Sequence, residues 1–322
     1  MDTLAEEPEF LAATVTQTER VAQNPHRATR LSPEVEIRYV VITPVRNEAA
    51  HLEENIASVV RQTVRPAEWV LVDDGSADAT GTIVDLWASR HAWITALHRH
   101  DRGFRQAGTG VIEAFYDGYR ALRTHNWEYL VKLDADLTLD PDYFQRCFVE
   151  FGKDTRLGIG GGTVYHIEDG QLKIDKNPYY HVRGATKIYS RPCWDALGGL
   201  VTSPGWDSLD EFKAQFLGWK TRSFPNVRVL HRRPTGAADG TWRNAVKDGL
   251  ADYVSAYHPL FMLLKCLRRA PRKPYLVESL GLFYGFASGY ARRVPRVEDP
   301  ALIQYIRKQQ LRRLLRLDRM WE

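Results

Sequence analysis

The sequence predicts an α/β fold built on a mostly parallel sheet flanked by helices, with a helical C-terminal extension. Three observations carry this. Short β-branched runs alternate with stretches of helical periodicity, the signature of βαβ units. The runs are apolar on both faces, as strands covered on both sides are. Three of the runs stop at polar or acidic loops, and in such sheets ligands bind beyond the carboxyl ends of the strands.

Taken in order, Tyr39-Val-Val-Ile-Thr43 is the first strand and ends at Pro44. Leu52, Ile56, Val59 and Val60 then recur at helical spacing, and Trp69-Val-Leu-Val72 is the second strand. Ile83, Leu86 and Trp87 mark a helix, Ile94–Leu97 a strand, residues 107–123 a helix and Tyr129-Leu-Val-Lys-Leu133 a further strand. Leu157–Tyr165 reads as a strand laden with glycine, where something approaches the backbone closely. Gly184–Tyr189 and Val227–Leu230 read as later strands. Residues 1–37 have weak periodicity and read as a mobile arm, 38–240 as the α/β domain, and 241–322 as a basic, mainly helical region broken by prolines.

Three unclustered cysteines, Cys147, Cys193 and Cys266, rule out a disulfide framework or zinc knuckle as the organising device and favour a reducing compartment. The acidic first residues lack the basic-then-apolar pattern of a secretory signal, and no run reaches eighteen apolar residues. A cytoplasmic location is the expectation. The net charge of +4 is uneven: residues 241–322 hold 16 Lys+Arg against 7 Asp+Glu, leaving 28 against 33 in residues 1–240. A basic tail on a mildly acidic body suits contact with an anionic membrane surface, or is simply a solvated helical face.

The chemistry concentrates at strand ends. Asp134-Ala-Asp136, just past an apolar strand, offers two carboxylates to a hard divalent cation, which keeps water and substrate phosphates in its other positions. In Asp73-Asp-Gly-Ser-Ala-Asp-Ala-Thr80 the turn and the helix cap account for Gly75, Ser76 and Asp78, but not for consecutive carboxylates; an acid there can accept from a pyrimidine imide.

Thr43-Pro-Val-Arg-Asn-Glu48, Val72-Asp-Asp-Gly-Ser-x-Asp-x-Thr80 and Leu133-Asp-Ala-Asp136 together resemble, in order and spacing, the family 2 glycosyltransferases of GT-A fold, over roughly residues 38–235. The resemblance implies transfer of a sugar from a nucleotide-diphosphate donor, generally with inversion, to a saccharide or lipid-linked acceptor. It implies Pro44, Arg46, Glu48 and Asp74 around the base and ribose, Asp134 at the ribose or metal-bound water, and Asp136 on Mg²⁺ or Mn²⁺. His231, after a strand, is implied at the metal or diphosphate, and Arg232 beside it at phosphate oxygens. The general base is implied within Pro204-Gly-Trp-Asp-Ser-Leu-Asp-Glu211, where Trp206 stands in the usual place of a glutamate. Counting back from Gly218-Trp219 puts Asp207 at that position, with Asp210 the alternative.

Asp207, Asp210 and Glu211 share one helix face by spacing, and Ser208-x-x-Glu211 also reads as a capping box. Trp206 either stacks on a sugar or staples the helix to the core. His181 and Arg183 fall in the long insert 166–184 that shapes an acceptor pocket in the family, while Arg102 and Arg105 read as solvated. The C-terminal helices, over 255–320, mix aromatic, apolar and basic residues and suit either a bilayer interface or a cap on the catalytic domain. Two other functions compete. A sugar-nucleotide nucleotidyltransferase needs a glycine-rich loop after the first strand, and Pro44–Ala50 has no glycine. A nucleic-acid-binding module is disfavoured because the acidic loops repel a polyanion.

Overall fold

The computed structural model describes residues 37–103, 108–168, 170–175, 177–233 and 240–315. They belong to one compact unit, Ile37–Glu322. The arm read over 1–37 lies, up to residue 36, outside the described residues, as does Arg105.

The first half follows the predicted alternation. β1 (Tyr39–Val45), α1 (Ala49–Val60), β2 (Glu68–Asp73), α2 (Thr80–Arg90), β3 (Ile94–His98), α3 (Thr109–Ala121) and β4 (Tyr129–Leu133) succeed one another. β1 pairs in parallel with β2 and β4, and β2 with β3. Val40, Ile42, Val70 and Val72 pack with α3 on one face, while Val41, Leu71 and Val131 pack with α1 on the other. The strands therefore have no polar side, which is why they read as continuous apolar runs.

The second half is mixed. β5 (Leu137–Leu139), α4 (Tyr143–Gly152), β6 (Leu157–Glu168), β7 (Gln171–Ile174), β8 (Thr186–Ser190), α5 (Arg191–Leu197), α6 (Trp206–Phe216) and β9 (Lys220–His231) complete a nine-stranded sheet ordered β3-β2-β1-β4-β8-β6-β9-β5, with β7 paired to β6. β8 runs antiparallel to β4 and β6, β5 antiparallel to β9 and β7 antiparallel to β6; only β6 with β9 is parallel. Half of the eight pairings are thus antiparallel, so the parallel character belongs to the first half. β9 begins seven residues earlier than the sequence suggested. Pro225, which cannot donate to a ladder, sits in a register shift between Phe224 and Arg228 and interrupts the pattern without ending the strand.

The glycines of β6 are close-approach positions, as expected. A Cβ on Gly160 would lie 3.0 Å from the Phe151 ring, and one on Gly162 within 2.7 Å of the Val227 carbonyl oxygen.

α7 (Gly240–Val254), α8 (Pro259–Arg269), α9 (Val277–Ala291) and α10 (Pro300–Leu314) form the C-terminal region. Tyr253, Met262, Cys266, Leu282 and Phe286 share a small core with Leu209 of α6, so this region is packed on α6. α9 presents Gly281, Gly285 and Gly289 to α7, and its backbone comes so close that a Cβ on Gly285 would overlap the Val246 carbonyl. Leu302, Ile306 and Gln310 of α10 are buried.

Candidate active site

Polar residues tie the loops at the strand tips to each other. Ser76 Oγ accepts from the Asn47 amide at 3.0 Å, and Asn47 Oδ1 accepts from the Ala77 amide at 2.8 Å. Thr80 Oγ1 accepts from the Glu48 amide at 2.8 Å, and Asp78 Oδ2 from the Ala49 amide at 3.2 Å. The spacing of the Asp-Asp-Gly-Ser-x-Asp-x-Thr motif is therefore that of a brace: Ser76, Asp78 and Thr80 supply the first helix with the partners its orphaned amides need. Asp73 is also structural, accepting from the Ser76 amide at 2.9 Å and meeting His98 Nδ1 at 3.1 Å. From the other side, buried Asn55 of α1 donates to the carbonyls of Asp134 (3.2 Å) and Leu137 (2.7 Å), fixing the loop that carries the two aspartates.

The braced loops open on a cavity of about 470 Å³. Its lining includes Pro44, Arg46, Glu48, Asp74, Asp134 and Asp136 from the strand tips, and Trp206 and Asp207 from the start of α6. Arg183, His231, Arg233 and Asp248 line it as well. The carboxylates from three separate strand tips and the acid at the start of α6 therefore face one common space.

On the strand-tip wall every carboxylate has a cation beside it. Asp74 is clamped by Arg99 and Arg102, and its backbone carbonyl accepts from Arg46. Arg102, read as solvated, is four-fifths buried because Glu113 (2.8 Å) and Asp74 together hold it. Asp134 pairs with Lys132. Asp136 Oδ2 lies 3.1 Å from His231 Nε2 and 3.1 Å from Arg233 Nη2, and the same guanidinium holds Glu48. Burial works to raise the Asp136 carboxyl, but His231 and Arg233 outweigh it and hold it at about 2. For Glu48, burial prevails over Arg233 and raises it above its ordinary value. Burial likewise raises Asp134 against the pull of Lys132.

The donor chemistry of this wall fits a divalent cation. Carboxylate oxygens suit Mg²⁺ or Mn²⁺. Glu48 Oε2 is buried with no hydrogen-bond partner among the described residues. Among them, too, no group of three or more acidic, histidine or cysteine side chains is placed to hold an ion.

The α6 wall is built differently. Gly205 takes φ +78° and turns the chain into α6, which starts at Trp206, two residues before the expected capping box; its first residue thus falls at the cavity, and no side chain caps it. Lys187 of β8 donates to the Asp207 carbonyl and, at 2.8 Å, to the Asp210 carboxylate. Glu211 stands 3.1 Å from Lys187, 2.9 Å from His181 Nδ1 and 2.7 Å from the Val182 amide. Trp206, 6% exposed, lies under both Lys132 (5.2 Å to the ring centre) and Lys187 (5.6 Å).

Asp207, Asp210 and Glu211 do share a face, but one turn along the axis, about 5 Å, separates their surroundings. Asp207 lines the cavity, while Asp210 is buried against Lys187 and Tyr189 (2.5 Å). Burial raises the Asp210 carboxyl to about 7, with Lys187 opposing and Glu211 adding to the rise. Burial lowers and Glu211 raises His181, and Glu211 wins. Asp210, His181 and Arg232 are therefore not brought to the cavity with the other expected residues. His181 is committed to Glu211, and Arg232 points to Glu54 and to Thr138 (2.9 Å). Its neighbour Arg233 takes the cavity position.

Besides Arg233, two charged lining residues were missed. Lys132, a charge inside an apolar strand and only 2% exposed, was a signal that could have been used. Asp248, in the middle of α7, had none.

The glycosyl transferase family 2 model matches residues 40–199, the stretch that holds β1 to β8 and all three strand-tip motifs. The chain belongs to that family and has its GT-A fold. It is 33% identical over 125 residues to the uncharacterized glycosyltransferase EpsJ of Bacillus subtilis, covering 39% of this chain and 33% of that protein. It is 27% identical over 145 residues to glycosyltransferase GlyG of Streptococcus pneumoniae, covering 45% and 43%. The matches thus span less than half the length of these relatives. Among solved structures, the mannosyltransferase PcManGT from Pyrobaculum calidifontis, in complex with GDP-Man and Mn²⁺, superposes with a TM-score of 0.52. That match covers 94% of this chain and 86% of the other at 19% identity, a likeness of fold.

Proposed function

We propose that this protein is an inverting glycosyltransferase that uses a nucleotide-diphosphate sugar and a saccharide or lipid-linked alcohol, in polysaccharide or glycolipid synthesis. The observation that carries the reading is the single cavity shared by Asp74, Asp136 and Asp207. A second carboxylate wall with no route to the first would leave nothing to deprotonate an acceptor.

Pro44, Arg46, Glu48 and Asp74 frame the base and ribose. Asp134 faces the ribose, held by Lys132. Asp136 and His231 would hold Mg²⁺ or Mn²⁺. The cation supplies neutralisation of the charge that grows on the leaving phosphate. Arg233 adds a guanidinium to the same oxygens, giving up its contact with Glu48 or Asp136 as the donor enters.

Asp207 is the general base. Its carboxylate takes the proton of the acceptor hydroxyl, the acceptor oxygen bonds to the anomeric carbon, and the bond to the diphosphate oxygen breaks on the opposite face, releasing a nucleoside diphosphate. Gly184 leaves room for this base: a Cβ there would lie 3.2 Å from Asp207 Oδ2. Arg183 and the edge of Trp206 border the acceptor side. Contact of the C-terminal helices with a membrane surface would bring a lipid-linked acceptor within reach.

A thermal-shift screen of nucleotide sugars, with Mn²⁺ or with EDTA, tests the reading. A matching donor at a hundredfold excess over its Kd stabilises by about 2.7 kcal/mol by mass action. A shift with one donor, dependent on the cation and followed by release of nucleoside diphosphate, is expected. Pyrophosphate release from a nucleoside triphosphate and a sugar phosphate would assign the cavity to nucleotidyl transfer instead.

A further inference from the structure

The helical region carries an apolar surface that the chain does not cover. On α8, Leu260, Leu263, Leu264 and Leu267 are 38–59% exposed while Met262 and Cys266 face inward. On α9, Leu280, Phe283 and Tyr284 are 51–55% exposed. An ordinary surface helix puts polar residues outward. α9 is apolar on both sides: its glycines and Leu282 meet α7, and the face opposite them is leucine, phenylalanine and tyrosine.

Charge identifies what covers this face. Between residues 260 and 297 the only acid is Glu278, which Arg269 holds at 2.7 Å. Arg268, Arg272 and Lys273 are exposed at the α8–α9 connection, and Arg292 and Arg293 at the end of α9. An apolar plate with a cationic rim matches the acyl boundary and headgroups of an anionic bilayer. A second copy of the chain fits poorly, since a two-fold contact would bring the two basic rims together. At fifteen residues α9 is about 22 Å long, short of the roughly 30 Å hydrocarbon core. No helix among the described residues is long and apolar enough to cross a membrane. The surface suits lying in the interface rather than crossing it.

We propose that the outward face of α8 and α9 lies flat in the interface of an anionic lipid bilayer, and that the acceptor is a membrane-held alcohol delivered from that surface. The second clause rests on the transferase reading. It follows from α7, which packs against α9 on one side and carries Asp248 into the cavity that holds Asp207 on the other.

The test is flotation of the full-length protein with vesicles of phosphatidylcholine alone, or with part of it replaced by phosphatidylglycerol. Leu267→Glu/Phe283→Glu alters only exposed side chains, and Arg272→Ser/Lys273→Ser removes rim charge. Wild type is expected to float with the anionic vesicles, at least tenfold more than either variant, with the loss confirmed as a surface effect by unchanged unfolding curves and unchanged donor-induced thermal shifts. The proposal is overturned if wild type ignores both vesicle types or if the variants float equally well. A concentration-dependent dimer that Leu267→Glu/Phe283→Glu dissociates would assign the face to protein association and overturn it as well. Floating protein that gives no thermal shift with any donor would overturn the transferase reading and leave the bilayer contact standing.

Discussion

The two walls of the cavity use similar residues for opposite ends. On the strand-tip wall, Glu48, Asp134 and Asp136 sit beside Lys132, His231 and Arg233 in a space open to a ligand, and those pairings are ones a diphosphate and a cation can rearrange. On the α6 wall, Lys187, Asp210 and Glu211 are at most 5% exposed and satisfy one another, with Tyr189 and His181 closing the cluster. The difference teaches that a charge cluster in a cavity wall is readable by what can reach it. The first is built to exchange partners, and the second to keep Asp207, through its carbonyl on Lys187, at the cavity edge.

The sharpest break between the walls comes from Asp207 itself. Asp207→Asn is expected to lower transfer by up to about 10⁴-fold, the upper range for general bases, while leaving the donor-induced thermal shift intact. Normal turnover would remove Asp207 from its assigned role. Next in size, Lys187→Met leaves two buried acids without their cation and should cost about 3–5 kcal/mol in denaturant unfolding, as loss of one partner of a buried pair does. A loss below about 1 kcal/mol, the range of exposed pairs, would mean that the cluster is not the fixed anchor its burial implies.

Asp136→Ala probes the exchangeable wall. Transfer should fall about 10²–10³-fold and the cation-dependent part of the donor shift should vanish. The smallest effect is a slope. His181 titrates above its ordinary 6.5 because Glu211 faces it and outweighs burial and Lys187; Asp207 acts in the same direction as Glu211. Its stabilisation is therefore complete below pH 6.5 and is lost as pH rises through the raised value. Asp210 acts with the same sign, its contribution being complete below its ordinary 3.8 and lost as pH rises through about 7. His181→Gln should flatten the fall in stability above pH 6.5, read from unfolding curves across pH, and should leave the part due to Asp210.

The first half of the fold was legible because β1, β2 and β4 are buried on both faces and the loops after them are braced. The second half was less so. β5 has three residues, too few for a period to register, and the direction of β8 depends on partners distant in sequence. At the site, Asp74 and Asp136 were marked by their position after strands, and Asp207 by counting back along the stretch that resembles the family's motif. Arg233 was not separable from Arg232 beside it, since which of two adjacent cations turns inward is decided by backbone twist at the strand end. Asp248 was invisible because nothing in a helix of small and charged residues marks the one that meets a cavity.

The line of Gly281, Gly285 and Gly289 has a practical corollary. Those positions set the spacing between α9 and α7, so a single methyl group at Gly285 acts as a wedge and tilts the helix that carries Asp248. If the cavity is the proposed transfer site, its mouth would thereby be adjustable from outside the cavity, and acceptor preference would drift with helix spacing while the strand tips stay fixed.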